Sequence, residues 1–261
     1  MPERLFVTSR LLSAAGVVHG FSVRTGGVSR SPYDSLNLSI SVGDTAEAVR
    51  ENLARLEKSA GLPAPIATAT QVHGDRVVAA SAGGLREICA ATEPQPDGAD
   101  ALLALDPGVA VGVRGADCVP ILLSAEGGGA VAAVHSGWRG TRLSVAARGV
   151  RALQQAAGAD PRRMLAAVGP SIGRCCYQVS AELAAMFRAR FGPEAADDPD
   201  QIPKPHLDLR FCVEAALVQA GVPRDGIEQV EGCTSCDTAA FFSHRRDQGC
   251  TGRHLAFIAT Q

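Results

Sequence analysis

Three residues with soft donor atoms carry the chemistry this chain could do. Cys118 and His135 bracket two short apolar runs in GADCVPILLSAEGGGAVAAVHSGWRGT, and His73 lies upstream in TATQVHGDRV. Two imidazoles and one thiolate are the donor set of a catalytic zinc site that keeps its fourth position open, and copper is a second ion such a set accepts. Zinc lowers the pKa of a coordinated water to about 7, which supplies a nucleophile at neutral pH. The reading requires that the three side chains meet. Otherwise the same residues are a buried thiol and two satisfied histidines.

The elements that must position them follow from the apolar runs. Residues 119–124 and 130–134 flank the turn signal Glu126-Gly-Gly-Gly129. If they pair as a hairpin, Cys118 and His135 stand side by side at its open end. Residues 65–70 and 76–80 read as strands around His73, so its ring projects from a strand end. Runs at 100–105 and 109–113, split by Asp106-Pro-Gly108, carry a second hairpin-like signal. Strands are expected at 17–24, 164–168, 227–230 and 254–259. Helices are expected at 45–60 (N-capped by Thr45 and stopped by Gly61-Leu-Pro63), 141–157, 180–191 and 208–220. Residues 83–98 read as an exposed loop. Hairpins mixed with helices imply an α/β protein with mixed sheets covered by helices, and the composition shows no domain break.

Bulk composition narrows the function classes. A hydrophobic fraction of 46% supports a sizeable core, and only 4% aromatic residues make that core aliphatic. A net charge of -2 with interspersed signs argues against nucleic acid as the main partner. No run approaches the roughly 18 apolar residues of a membrane span, and charges interrupt the apolar patch of MPERLFVTSRLLSAAG, so a cytoplasmic protein is expected. Eight cysteines in a reducing compartment are then free thiols or metal ligands.

Other residues are candidates beside simpler roles. Cys233-x-x-Cys236, followed by His244 and Cys250, has the outline of a zinc knuckle, although unligated thiols are the default reading. Adjacent Cys175 and Cys176 are poorly placed to bond to each other. Arg139 and Arg174 could recognise an anion through the guanidinium fork. Arg24, beside the turn Thr25-Gly26-Gly27, is a further oxyanion candidate. Asp100 and Asp117, each in a Gly-Ala-Asp sequence, could orient a ligand or act as a base. Trp138 is a pocket wall or part of the core.

The blocks GFSVRTGGVS, PYDSLNLSISVGD, QVHGDRV, GADCVPILL, AAVHSGWRGT, GPSIGRCCYQV, Cys233-Thr234 and FFSHRRDQGCTGR run in order from residue 20 to residue 253. In these the chain resembles the bacterial YfiH/YlmD family, long labelled multicopper polyphenol oxidases and related to the mammalian laccase domain-containing protein. The resemblance implies a single-domain, mixed-sheet α/β/α layered fold over residues 1–261 and a zinc site of His73, Cys118 and His135. It also implies phosphorolysis of adenosine, inosine and methylthioadenosine, and deamination of adenosine. Purine nucleosides and phosphate are then the expected partners, with Arg24, Arg139 and Trp138 as substrate contacts and Asp117 beside the catalytic ligands. The laccase label fits poorly: the chain has six histidines and no H-x-H pair, too few for four coppers. Zinc deaminases pair the metal with a glutamate base, and no H-x-E occurs here. An alternative attached to some relatives is a hydrolase or amidase acting on cell-wall precursors, with Cys118 as a nucleophile activated by His135.

Overall fold

The computed structural model describes residues 5–62, 65–81 and 84–261. In chain order the elements begin with β1 (Phe6–Val7), α1 (Arg10–Ala14), β2 (His19–Ser22), α2 (Ala46–Ala60), β3 (Val77–Ser81) and β4 (Gly84–Cys89). They continue with β5 (Ala101–Ala104), β6 (Ala110–Gly115), β7 (Val119–Ser124), β8 (Val131–Ser136), α3 (Trp138–Arg142) and α4 (Val145–Ala157). The last are β9 (Leu165–Val168), α5 (Ala181–Phe191), α6 (Leu209–Gln219), β10 (Ile227–Gln229) and β11 (His254–Ala259). Among the described residues no helix is long and apolar enough to cross a membrane.

A seven-stranded mixed sheet, ordered β10-β9-β7-β8-β5-β3-β4, forms the centre. Its inner strands β3, β5, β7, β8 and β9 are nearly uninterrupted apolar runs because both faces are covered there. One face, through Leu103, Ile121, Val134 and Val168, packs on α4, α5 and α6. The other, through Leu102, Leu122 and Ala133, packs on Val111 and Val113 of β6 and Ile258 of β11. These belong to an antiparallel sheet ordered β1-β2-β11-β6. Its outer face carries Leu255 and Phe257 against Leu56 of α2. The mixed-sheet α/β class expected from the sequence holds, and the layers run α/β/β/α, with a second sheet between the outer helix and the central one.

Several local expectations change. Asp106-Pro-Gly108 does not close a hairpin, since β5 and β6 belong to different sheets. The stretch read as an exposed loop contains β4, whose solvent-facing edge position removes the alternation a strand normally shows; residue 83 lies outside the described residues. The run at 65–70 reduces to one bridge, Ala67 to Val111. The helix expected at 141–157 is two helices, broken where Ser144 takes φ +61. Thr45 caps α2 by accepting from the Ala48 amide, and Gly61 ends the helix in the left-handed region; Pro63 lies outside the described residues.

One edge of the central sheet gathers the chemistry. β8 runs antiparallel to β5 and β7, so its end, His135, lies beside Asp100 before β5 and Cys118 before β7. β3 runs parallel to β5, which brings the 71–76 loop to the same edge. β9 is antiparallel to β7 and parallel to β10, so the segments after β9 and β10 also emerge there.

Candidate metal centre

The hairpin expected from the glycine turn forms, with Val119 opposite Ser136 and Pro120 opposite His135. It brings Cys118 and His135 together. His73 joins them from a loop, not a strand end. One ligand atom from each of the three lies within 4.8 Å of the others, and the two imidazoles meet edge to face with centroids 4.9 Å apart. The burial is graded: His135 is 4% exposed, Cys118 is half-buried and His73 faces solvent. The set is therefore open on the His73 side.

Asp100 organises both histidines. Its side chain is fully buried. His135 Nδ1 donates to Asp100 Oδ1 at 2.8 Å, which leaves Nε2 for a metal. The amides of Val72, His73 and Gly74 donate to the same carboxylate at 3.1, 3.1 and 2.7 Å. Three successive amides can converge on one anion because His73 adopts φ +60, a left-handed conformation uncommon outside glycine. Burial raises the Asp100 pKa, but the bond to His135 and the Gly74 and Val72 amides outweigh it, and the carboxylate stays ionised below its usual range.

The ligands are electrostatically coupled. Burial opposes a Cys118 thiolate, yet His135 and His73 bring the thiol down to about 6. Burial likewise opposes an imidazolium at His135, while Cys118 and Asp100 raise it to about 10. Each group favours the charged form of the other, and a divalent ion held by both would displace the proton of the His135 imidazole. Gly137 closes the floor: a Cβ there would stand 3.0 Å from Cys118 Sγ and 3.2 Å from the His73 ring. The donor set, its compactness and the carboxylate behind His135 fit one zinc-sized ion with an open position.

The ligands line a cavity of about 910 Å³, within the range of small-molecule sites. Its wall includes Gln71, Arg114, Tyr177, His244, Arg245 and Arg253. Sequence reasoning missed these arginines because Arg114 lies far along the chain from Arg245 and Arg253, and only the fold brings them to one space. Burial lowers the pKa of Arg114 and Arg253, yet guanidinium keeps its charge. Tyr177 is pushed up to about 12 by burial and by the negative charges of Cys118 and Asp117, so its hydroxyl keeps its proton.

The other expected residues are distributed differently. Asp117 lines the cavity in a left-handed conformation of φ +93. Its two carboxylate oxygens accept from Thr234 Oγ1 and the Arg245 amide, each at 2.6 Å. Arg24 lies outside the cavity lining, donating to the Thr238 and Asp34 carbonyls and resting over Phe242. Arg139 stacks on Trp138. Trp138 lines an adjoining groove that shares Tyr177 and Arg245 with the cavity. Arg174 pairs with Asp197 at 2.7 Å.

Fold and site together define a mixed-sheet α/β protein with a Cys/His/His cluster at one sheet edge. The family model described as multi-copper polyphenol oxidoreductase laccase matches residues 18–261, and the chain belongs to that family, the YfiH/YlmD family. It is 38% identical over 253 residues to a protein named purine nucleoside phosphorylase YlmD from Geobacillus stearothermophilus, covering 94% of this chain and 90% of that protein. It is 41% identical over 244 residues to a purine nucleoside phosphorylase from Deinococcus radiodurans, covering 93% and 88%. The crystal structure of YlmD from Geobacillus stearothermophilus superposes with a TM-score of 0.84 at 32% identity, over 99% of this chain and 100% of that one.

Proposed function

We propose that this protein is a metal-dependent purine nucleoside phosphorylase that also deaminates adenosine, with zinc held by His73, Cys118 and His135. The observation that carries the reading is the three-ligand cluster, backed by Asp100, inside a cavity ringed by arginines. The names of relatives that match over nearly the whole chain support the substrate class. A closed four-ligand site would suggest scaffolding, whereas three ligands leave room for chemistry.

In phosphorolysis a phosphate oxygen bonds to C1′ of the ribose as the C1′–N9 bond breaks, and the purine leaves with a proton. Arg114, Arg245 and Arg253 neutralise and orient the phosphate, and the protonated Tyr177 hydroxyl donates to the substrate. Gln71 is fixed against the Arg114 backbone at 2.6 Å in both directions and shapes the wall. Asp117 holds the Thr234 and Arg245 segments in place behind Cys118. A zinc ion at the cluster supplies a concentrated positive charge and an acidified water. Inosine, adenosine and methylthioadenosine are the substrates we assign to the cavity.

The test is turnover of adenosine and inosine with and without phosphate, with base, ribose phosphate and inosine quantified separately. Wild type should release base only with phosphate, and His73→Ala should lose both phosphorolysis and deamination along with its metal. Phosphate-independent base release would defeat the phosphorolysis reading.

A second reading rests on the Cys118 thiol near 6 and the chain Cys118, His135, Asp100. Without metal this arrangement is that of a cysteine hydrolase, including one that opens amides of cell-wall precursors. A metal-free preparation inactivated by alkylation of Cys118 would favour it.

A further inference from the structure

Four cysteines that the cavity does not use meet at the same sheet edge. Cys175 and Cys176 follow β9, and Cys233 and Cys236 follow β10; one sulfur from each lies within 4.8 Å of the other three. Cys175 Sγ is 3.7 Å from Cys233 Sγ and 3.5 Å from Cys236 Sγ, and Cys176 Sγ is 3.3 Å from Cys236 Sγ. The expected knuckle partners His244 and Cys250 are not in this cluster. Tetrahedral zinc with bonds of about 2.3 Å sets its sulfurs about 3.8 Å apart, so these three separations are close to the edge length of a ZnS4 tetrahedron and the whole set lies within 4.8 Å.

We propose that Cys175, Cys176, Cys233 and Cys236 form a second metal site, a closed tetrathiolate centre that takes zinc and locks the two segments behind the cavity. Its backbone is arranged for thiolates. The Gly173 amide donates to Cys233 Sγ at 3.2 Å, and the Ser235 and Cys236 amides turn onto the same sulfur, the pattern of a C-x-x-C knuckle. Gly173 permits this approach, because a Cβ there would stand 3.2 Å from Cys175 Sγ and 3.5 Å from Cys233 Sγ. Cys176 and Tyr177 amides both donate to the Gly173 carbonyl, a single tight turn that sends both adjacent cysteines to one side. An iron–sulfur cluster interposes inorganic sulfide and needs its cysteines spread apart, so the compact set selects a mononuclear ion. A closed set of four thiolates in tetrahedral arrangement is the donor set of structural zinc, and zinc is the ion we assign.

The placement gives the centre a purpose. A bridge joins Ser171 to Cys233, Thr234 donates to Asp117, and the Ile172 amide donates to the Asp117 carbonyl at 2.9 Å. Tyr177 follows Cys176 into the cavity wall. Four bonds to one ion would fix Asp117, Cys118 and Tyr177 against each other without touching substrate. This role is independent of the reaction assigned to the cavity.

The experiment uses full-length protein purified under reducing conditions, without added metal. Wild type should carry two zinc per chain, and Cys233→Ser/Cys236→Ser should carry one. His73→Ala/Cys118→Ala should keep one zinc and, after exchange to cobalt(II), show the intense visible bands and near-ultraviolet thiolate charge transfer of a tetrathiolate. In wild type, iodoacetamide should spare all four cysteines until a strong chelator strips the metal, while exposed Cys250 reacts throughout. One zinc per chain with all four thiols freely alkylated would overturn the proposal. So would disulfides among them in freshly purified protein, or iron with acid-labile sulfide. The alkylation arm needs no variant, so a misfolded mutant cannot hide the answer. Loss of the cavity metal alone would count against the phosphorylase reading and leave this centre standing.

Discussion

Asp100 and His135 are joined twice: the His135 amide donates to the Asp100 carbonyl at 2.7 Å, and its Nδ1 donates to Oδ1 at 2.8 Å. The first bond extends the β5–β8 ladder and the second fixes the ring. The imidazole orientation is thus written into strand register, and the same carboxylate holds the His73 loop. Replacing Asp100 by Asn keeps the shape but turns an NH2 group toward backbone donors. Metal affinity should fall roughly 10- to 100-fold, measured by competition with a chromogenic chelator. The buried mismatch should also cost about 1–3 kcal/mol of stability. Unchanged affinity would mean that Asp100 does not tune the ligands.

Gly137→Ala should act through volume alone. The new methyl would press on Cys118 Sγ and the His73 ring, and Gly137 itself has an ordinary φ of -76, so backbone strain is not added. Metal content should drop and turnover should fall with it, while the melting temperature of the metal-stripped protein stays close to wild type. Equal loss of metal-free stability would point to packing damage instead.

The hairpin that pairs Cys118 with His135 was legible because a glycine turn between two short apolar runs has one simple closure. His73 was found as a residue, but its loop was not, since the amide cradle around Asp100 depends on a left-handed conformation that composition does not announce. The second sheet was hidden because β5 and β6 are both apolar runs separated by a good turn signal, and burial on both faces erases the alternation that would name a partner. The cysteine pairs stand 58 residues apart between Cys175 and Cys233, and only the parallel β9–β10 pairing brings them together. The cationic wall was hidden in the same way, in Arg114, Arg245 and Arg253.

Arg245 tests the phosphate reading. Its side chain is anchored to the Gln178 carbonyl at 2.7 Å and lies over the Tyr177 ring, so it reaches the cavity from a fixed base. Arg245→Ala should raise the KM for phosphate about 10-fold, near 1.4 kcal/mol, with a smaller change in the KM for inosine. Arg245→Lys should recover part of the loss, since charge returns without the fork. A rise confined to the nucleoside KM would place phosphate elsewhere.

His254 sets a pH limit on stability. Its Nε2 accepts from the Phe242 amide at 2.8 Å, which requires that nitrogen unprotonated. Burial above all, with nearby Arg24 and Arg253 adding to it, pushes the imidazole down to about 3. The unfolded chain takes up a proton near pH 6.5 and the folded one does not, so stability present above pH 6.5 declines as pH falls toward 3. The slope approaches about 1.4 kcal/mol per pH unit, or about 2 kcal/mol between pH 6.5 and 5. Buried His19 shifts in the same direction. Urea unfolding at pH 7.5, 6 and 5 should show this decline, and His254→Gln, whose amide oxygen can still accept from Phe242, should flatten it. Comparing the two proteins at equal metal content separates the effect from acid release of metal at His73 and His135. Parallel curves for variant and wild type would remove His254 from the account.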